Sequence, residues 1–322
     1  MANDGRPKPQ ASPFVPGGKT QAVRIGINSV EYRSLPLEEA MRNLQRHGVR
    51  LVELIARKNV SKETVPQTRA LLDKYGIRAH SVSAFTKLNE VVHERVGETQ
   101  DLIGESLEIA AMLEAPFSLT YFGANALLDD EEAVARYVEF VRPCIRKAEE
   151  TGVTLLVDNL FDIVPLEILA TFRGRYRSSD VTRSARGCRR LLESIDSPWF
   201  QYNYDPGNFL CAGEEPYPYA YDVLKDFIRS IHLKDAVKYD RDLHGDPDDL
   251  FLQRDLRGDF MCVPIGAGAV NYDALLGRLR ADGYQGSLIL EPHTGDGRLD
   301  AALRDSLEFL AGHGFAGQDP EH

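Results

Sequence analysis

The sequence lacks the features that mark several common classes of protein. Its four cysteines, at positions 144, 188, 211 and 262, form no Cys-x-x-Cys motif, which argues against a structural zinc site and favours free thiols in a reducing compartment. Basic residues number 38 against 49 acidic ones, and the net charge of −11 argues against a nucleic-acid partner. No apolar stretch approaches the length of a membrane span. We therefore expect neither nucleic acid nor membrane among its partners.

The chain begins with a segment that has few apolar residues. Proline, glycine and polar residues dominate residues 1–21, and this segment contains no apolar run of the kind found in signal peptides. We interpret it as a disordered tail and expect a cytoplasmic protein. Residues 314–322 are interpreted as a second short tail, which leaves 22–313 for a single folded domain.

From Val23 onward one unit recurs: a short apolar run rich in β-branched residues, a turn, and an amphipathic helix. The predicted strands are 23–29, 51–56, 78–85, 117–123, 153–159, 200–205, 229–235 and 287–293. Strands that alternate with helices form a parallel sheet, and eight such units predict a closed α/β barrel of the (β/α)₈ or TIM type. The competing open, doubly wound sheet would need a glycine-rich phosphate turn after the first strand, and the sequence has none there.

Two segments are longer than the repeat requires. The first, 172–190, forms a local basic cluster that could bind phosphate or carboxylate, or could be a solvated loop and helix face. Its arginines are Arg173, Arg175, Arg177, Arg183, Arg186, Arg189 and Arg190. The second, 236–262, is predicted to be a polar loop. It is long enough to be a lid that brings His244 to the site, or it could be a partner surface.

Acidic or imidazole side chains end four consecutive predicted strands, namely Asp158, Asp205, His232 and Glu291. The carboxyl ends of barrel strands share one face, so we expect these side chains to converge. Three carboxylates and one imidazole favour a divalent cation, with manganese or magnesium preferred by the oxygen ligands and cobalt or zinc as competitors. Each residue alone has a plainer interpretation as a helix cap, a structural histidine or a rim acid.

Four segments of the chain, over about residues 23–311, resemble the xylose isomerase-like superfamily of sugar phosphate isomerases and epimerases. They read LLVDN, NYDPGNF, SIHLKDA and IGAGAVNYDALLGRLRADGYQGSLILEPH. The resemblance implies a TIM barrel, a sugar or cyclitol substrate, and one divalent metal held by Asp158, Asp205, His232 and Glu291. Manganese is the metal we expect, with magnesium, cobalt and zinc as alternatives. We also expect a homo-oligomer, with a hetero-oligomer as the alternative.

The resemblance also implies a mechanism. In the epimerases of this superfamily, glutamates at the first and last ligand positions remove and return a proton next to a carbonyl, and the metal stabilises the enediolate. Asp158 stands at the first of these positions and is one methylene shorter than glutamate, which weakens two-base epimerisation. Glu291 would still serve as the base of an isomerisation or an elimination. Lys234 shares the strand face of His232 and matches the lysine of the family's His-x-Lys-Asp motif, where it could stabilise an oxyanion.

Five further residues are predicted to touch the substrate or to orient ligands, and each has a purely structural role as its alternative. They are Asn159 and Asn208, which directly follow ligands, together with Glu53, His80 and His293. We therefore expect a metal-dependent sugar isomerase or epimerase. The alternatives are a lyase or dehydratase that uses the same site and, less favoured, a non-catalytic barrel subunit. A multi-zinc phosphodiesterase like the superfamily's endonuclease is disfavoured, because few histidines lie near the expected strand ends.

Overall fold

A computed structural model describes residues 23–84, 96–121, 130–161, 181–246, 252–255, 258–294 and 296–315. Eight parallel strands close into a barrel, so the expected TIM barrel is confirmed. The barrel strands are β1 (Arg24–Asn28), β2 (Leu51–Ile55), β3 (Arg78–Ala84), β4 (Phe117–Tyr121), β5 (Thr154–Asp158), β6 (Phe200–Tyr204), β7 (Ile228–Leu233) and β11 (Ser287–Leu290). Their order around the barrel is β1, β11, β7, β6, β5, β4, β3 and β2. The predicted tail 1–21 lies outside the described residues, as do residues 316–322 and three of the arginines, Arg173, Arg175 and Arg177.

Helices connect the strands. They are α1 (Leu37–Arg46), α2 (Val65–Tyr75), α3 (Val96–Met112), α4 (Asp130–Thr151), α5 (Ala185–Ile195), α6 (Pro206–Ala212), α7 (Tyr221–Leu224), α8 (Arg241–His244), α9 (Tyr272–Ala281) and α10 (Leu299–Gly312). A short 3₁₀ turn, Ser29–Tyr32, follows β1. None of the helices in the described ranges is long and apolar enough to cross a membrane.

The barrel closes where β1 meets β11, with Arg24 opposite Ser287 and Ile27 opposite Leu290. Gly26 lies in this seam, and a Cβ atom added to it would come within 2.7 Å of Ile289 Cδ1 and 2.9 Å of Leu51 Cβ. The barrel interior is therefore packed too closely here for a side chain. This packing fixes the strands whose ends carry the candidate site.

Apolar side chains fill two regions of the barrel. Most of the core lies between the strands and the surrounding helices. A separate cluster within the barrel contains Leu119 and Tyr121 of β4 and Leu156 of β5. Strand residues that pair in register face the same side, and Tyr121 pairs with Asp158, so this cluster reaches the level at which the acidic side chains begin.

The helix α6 begins at Pro206 directly after Asp205, because proline at the first helical position has no N–H that needs a partner. One expectation from the sequence differs from the structure. The segment 236–262 is not a plain polar loop. Three of its strands, β8 (Asp235–Lys238), β9 (Leu252–Asp255) and β10 (Gly258–Val263), form an antiparallel sheet in the order β8, β10, β9.

Candidate metal centre

Three side chains from neighbouring strands form a compact cluster of possible metal ligands at the carboxyl end of the barrel. One ligand atom from each of Asp158, Asp205 and His232 lies within 4.8 Å of the others, and all three residues are buried. Within the described part of the chain, neither carboxylate oxygen of Asp158 makes a hydrogen bond, although Oδ2 lies 3.3 Å from His232 Nδ1. Buried polar atoms are normally satisfied, so two free carboxylate oxygens beside an imidazole fit a divalent cation.

Glu291 lies beside this cluster, with its Oε2 3.6 Å from His232 Nδ1. Asp158 Oδ2 lies 3.3 Å from the same nitrogen on β7. The Glu291 backbone continues β11 and donates a hydrogen bond to Leu233 O at 2.9 Å, which fixes it beside the end of β7. The fourth expected ligand therefore lies beside His232, outside the compact group of three.

Lys234 carries the one lysine ammonium that contacts this cluster among the described residues. Its Nζ lies 2.7 Å from Asp205 Oδ2 and 2.7 Å from Glu291 Oε2, and it donates to Asn208 Oδ1 at 3.0 Å. The lysine thus joins two of the predicted ligands, and it is only 4% exposed. The structure thus places Lys234 next to the cluster.

The site carries an excess of acidic groups, and these groups are buried. Burial lowers the pKa of Lys234, but Asp205 and Glu291 more than offset this and hold its pKa well above the usual value. Burial raises the pKa of Glu291, but Lys234 and His293 more than offset this and hold it well below. For Asp158 burial prevails over the opposing effect of His232 and raises the pKa to about 6. A carboxylate that burial keeps from ionising fully is the group that an added cation would stabilise.

Both carboxylate oxygens of Glu53 are engaged by neighbouring side chains. Its Oε1 accepts hydrogen bonds from Asn28 Nδ2 at 2.8 Å and Ser83 Oγ at 2.6 Å, and its Oε2 accepts from Ser81 Oγ at 2.7 Å. His232 Nε2 lies 3.2 Å from the same Oε2. A carboxylate on one ring nitrogen fixes the imidazole tautomer and leaves the other nitrogen free to bind a metal.

Asn159 and Asn208 tie the ends of β5 and β6 together. Asn159 Nδ2 donates to Asp205 O at 2.8 Å, and its Oδ1 accepts from Asp205 N at 3.0 Å. Asn208 Nδ2 donates to Asn159 O at 2.8 Å, and its backbone N–H donates to Asp205 Oδ1 at 2.9 Å. Both amides are fully buried and hold Asp205 in place, which is the orienting alternative for these residues.

The histidines lie at different depths. His80 Nε2 lies 3.1 Å from Ser230 Oγ, and Ser230 precedes His232 by two residues on β7, so His80 is one layer below the cluster. Burial lowers the pKa of His80 to about 3. His293 Nε2 lies 3.4 Å from Glu291 Oε2, next to the cluster. His244 is partly exposed on α8, where its Nδ1 accepts a hydrogen bond from Asp240 N at 3.0 Å.

The structure adds residues that the sequence analysis missed. Asn28 ends β1 and donates to both Glu53 Oε1 and Glu291 Oε1 at 2.8 Å, and Glu31 lies 2.7 Å from His293 Nδ1. Asn28 is a polar residue at a strand end, the same signal that identified the ligands. Glu31 and Ser81 carry no comparable signal, because nothing in the local sequence connects them to residues much further along the chain.

These observations define a TIM barrel with a buried acid–histidine cluster at the carboxyl ends of its strands. The chain belongs to the xylose isomerase-like TIM barrel family, whose model matches residues 41–313. No curated protein matches the sequence.

Solved structures with the same fold cover most of the chain. The probable 3-DHS dehydratase AsbF, involved in petrobactin synthesis, from Bacillus anthracis is 16% identical, with a TM-score of 0.65 over 88% of this chain and 98% of that one. The 3-keto-D-glucoside 4-epimerase YcjR from E. coli is 16% identical, with a TM-score of 0.66 over 90% and 99%. The IolI protein with a bound zinc atom is 13% identical, with a TM-score of 0.67 over 90% and 98%. At these identities the likeness shows the fold alone.

Proposed function

We propose that this protein is a divalent-metal-dependent isomerase or epimerase of a sugar or keto-sugar, and that it removes a proton next to a carbonyl group. The observation that carries the proposal is the buried cluster of Asp158, Asp205 and His232, in which neither Asp158 oxygen makes a hydrogen bond among the described residues. The family assignment and the epimerase with the same fold support the substrate class. Manganese is the metal we propose, and zinc in the structurally similar IolI protein makes zinc the main competitor.

The residues of the chain divide the work of such a reaction. Asp158, Asp205, His232 and Glu291 would hold the cation, which when bound would draw electrons from the substrate carbonyl and acidify the neighbouring C–H. Glu291 is the base, since Lys234 Nζ at 2.7 Å keeps its carboxylate ionised. Asp158 is the second carboxylate and would return the proton in an epimerisation. The three protons of the Lys234 ammonium are engaged by Asp205, Glu291 and Asn208, so its role is to hold these groups and to place a positive charge next to the negative charge that develops on the substrate.

The first test is the metal content of protein purified without chelator. We expect about one divalent cation per chain, and we expect His232→Ala and Asp205→Ala to lose it, because each removes a ligand from a buried set. His244→Ala is the matched control, since that imidazole lies on α8 and bonds the backbone of Asp240 rather than a group of the cluster. Circular dichroism establishes that each variant is folded. A wild-type protein that takes up no metal even from added manganese would contradict the proposal.

The second test follows the proton itself. Metal-loaded protein is incubated with keto-sugars in D₂O, and we expect one deuterium to enter at the carbon next to the carbonyl. Glu291→Gln should reduce this exchange by about 10²-fold or more, because a positioned general base contributes at least that much. Metal content is measured on the same samples, so that loss of the cation is distinguished from loss of the base. Exchange that survives in a metal-loaded Glu291→Gln variant would remove Glu291 from the role of base.

A lyase or dehydratase is the second candidate, and Asp158 is the observation that favours it. The shorter carboxylate reaches less far towards a substrate carbon than glutamate would, whereas an elimination needs only one base and the departure of a leaving group. A dehydratase shares the fold. Mass spectrometry of the products separates the two reactions, because an isomerase or epimerase conserves substrate mass and a lyase releases water or an aglycone.

A further inference from the structure

Glu31 is a buried acid next to the candidate site that neither metal binding nor the proposed proton transfer uses. It lies in the 3₁₀ turn Ser29–Tyr32 and is 3% exposed. Its Oε1 accepts the backbone N–H of His293 at 3.1 Å and lies 2.7 Å from His293 Nδ1. Within the described ranges, its second oxygen, Oε2, has no hydrogen-bond partner. A buried carboxylate oxygen without a donor is costly, which points to a partner that arrives from outside the protein.

The turn that carries Glu31 and the residue that Glu31 contacts are both held by specific interactions. Asn28 Oδ1 accepts the backbone N–H of Val30 at 2.9 Å and so begins the turn, while the amide of Asn28 holds Glu291. His293 has a φ of 47°, an uncommon left-handed conformation for a residue with a side chain. The two contacts to Glu31 Oε1 hold His293 in this conformation. The result is a rigid row in which the His293 ring separates Glu31 from Glu291.

A second atom near this row also lacks a partner. Thr294 directly follows His293, and its buried Oγ1 makes no hydrogen bond within the described part of the chain. A carboxylate oxygen accepts hydrogen bonds, and a threonine hydroxyl can either donate or accept one. Neighbouring hydroxyl groups of a polyol present donors and acceptors in this combination. A carboxylate and a hydroxyl can also bind a divalent cation together, so the test below includes cation binding as an outcome.

We propose that Glu31 Oε2 and Thr294 Oγ1 form a subsite that binds hydroxyl groups of a polyol substrate, one imidazole width from the base Glu291. The inference rests on the proposed function, because the substrate's carbonyl end must lie at the metal centre for its more distant hydroxyls to reach Glu31. The subsite selects substrates with hydroxyls beyond the reacting carbon. A three-carbon ketone is too short to use it.

The test compares ligands of different length on magnesium-loaded protein. Dissociation constants are measured by NMR for four polyol ketones (D-fructose, D-xylulose, 3-keto-D-glucose and an inosose) and for dihydroxyacetone. We expect Glu31→Gln to weaken the best polyol ketone about 10- to 100-fold, since a hydrogen bond to a charged group is lost, and to leave dihydroxyacetone unchanged. Thr294→Val removes one hydroxyl at nearly constant shape and should weaken the polyol about 3- to 10-fold. Glu39→Gln, an exposed acid on α1, is the matched control.

The outcomes separate the subsite from the function. If Glu31→Gln and Thr294→Val both bind the polyol as wild type does, or if wild type binds no polyol better than dihydroxyacetone, the subsite is overturned. Equal weakening of dihydroxyacetone would also overturn it, because that would show general damage to the site. A second magnesium ion that wild type binds and Glu31→Gln does not would replace the subsite with a cation site. If the polyol effect is seen and no α-deuterium uptake occurs, the subsite stands and the isomerase proposal fails.

Discussion

At the scale of single residues, Glu53 shows how a carboxylate can support the candidate metal centre without being one of its proposed ligands. Its two oxygens are occupied by Asn28, Ser81, Ser83 and His232, and the side chain is fully buried. Burial raises the pKa of Glu53, but His232 prevails and holds the pKa below its usual value. The carboxylate therefore stays ionised and directs the second imidazole nitrogen towards the cation position.

Glu53→Gln should weaken manganese binding by about 10- to 100-fold, as loss of a group that orients a ligand commonly does. The amide is nearly the same size, but it cannot accept from four donors and loses the charge that orients His232. Manganese affinity is measured by electron paramagnetic resonance, with Glu39→Gln as the exposed control. Ser83→Ala removes one donor and keeps the carboxylate, so we expect it to bind manganese within about threefold of wild type. Unchanged affinity in a folded Glu53→Gln variant would contradict this role.

At the scale of elements, Asp235 explains the Gly266-Ala-Gly268 turn that the sequence resemblance singled out. The carboxylate ends the Lys-Asp pair after β7 and accepts the backbone N–H groups of Gly266 at 3.0 Å, Gly268 at 2.9 Å and Val270 at 3.1 Å. A Cβ at Gly268 would lie 2.0 Å from Asp235 Oδ1, so only glycine allows this approach. The turn therefore binds an anion, but that anion is the chain's own carboxylate.

We predict that Asp235→Ala lowers the free energy of unfolding by about 3 kcal/mol or more, because three N–H groups of the turn lose their acceptor. Asp235→Asn retains one acceptor oxygen, so its free energy of unfolding should lie between those of wild type and Asp235→Ala. Asp273→Ala is the control, since it removes an exposed surface pair with His313 and should cost less than about 1 kcal/mol. Urea unfolding midpoints measure all three variants. Equal urea midpoints for Asp235→Ala and Asp273→Ala would contradict the role of Asp235 in stabilising the turn.

The insertion after β7 shows what local pattern does not reveal. The segment 236–262 is rich in charged residues, which indicated a loop, yet β10 pairs with both β8 and β9. Phe260 of β10 packs with a small buried group that includes Phe161, Cys211 and Ala236. These contacts join distant parts of the chain, so tertiary packing makes strands of a sequence whose polar residues favour a loop.

At the scale of the whole molecule, the barrel and the strand-end acids were predictable because both follow from periodic local patterns. Eight strand–helix units specify a parallel barrel, and parallel strands bring their carboxyl ends to one face. The residues that hold the candidate ligands in place were not predictable in this way. Asn28 and Glu291 are 263 positions apart in the sequence. Other pairs across the β1–β11 seam are separated by similar numbers of residues, and a single sequence carries no signal for such pairs. The same limit hid the link between Glu31 and His293.

The seam itself gives the last prediction, which concerns the stability of the entire barrel. Gly26→Ala should lower the free energy of unfolding by about 1–3 kcal/mol, because the new methyl group would overlap Leu51 as well as Ile289 where the barrel closes. Gly104→Ala should raise it by about 0.5–1 kcal/mol, since Gly104 lies within α3 and its Cβ would meet no atom within 4 Å. The two substitutions add the same methyl group, so shifts of opposite sign in the urea midpoint, relative to wild type, would reflect position alone. A neutral Gly26→Ala would show that β1 and β11 separate easily, and the precise placement of Asn28 against Glu291 would then need another cause.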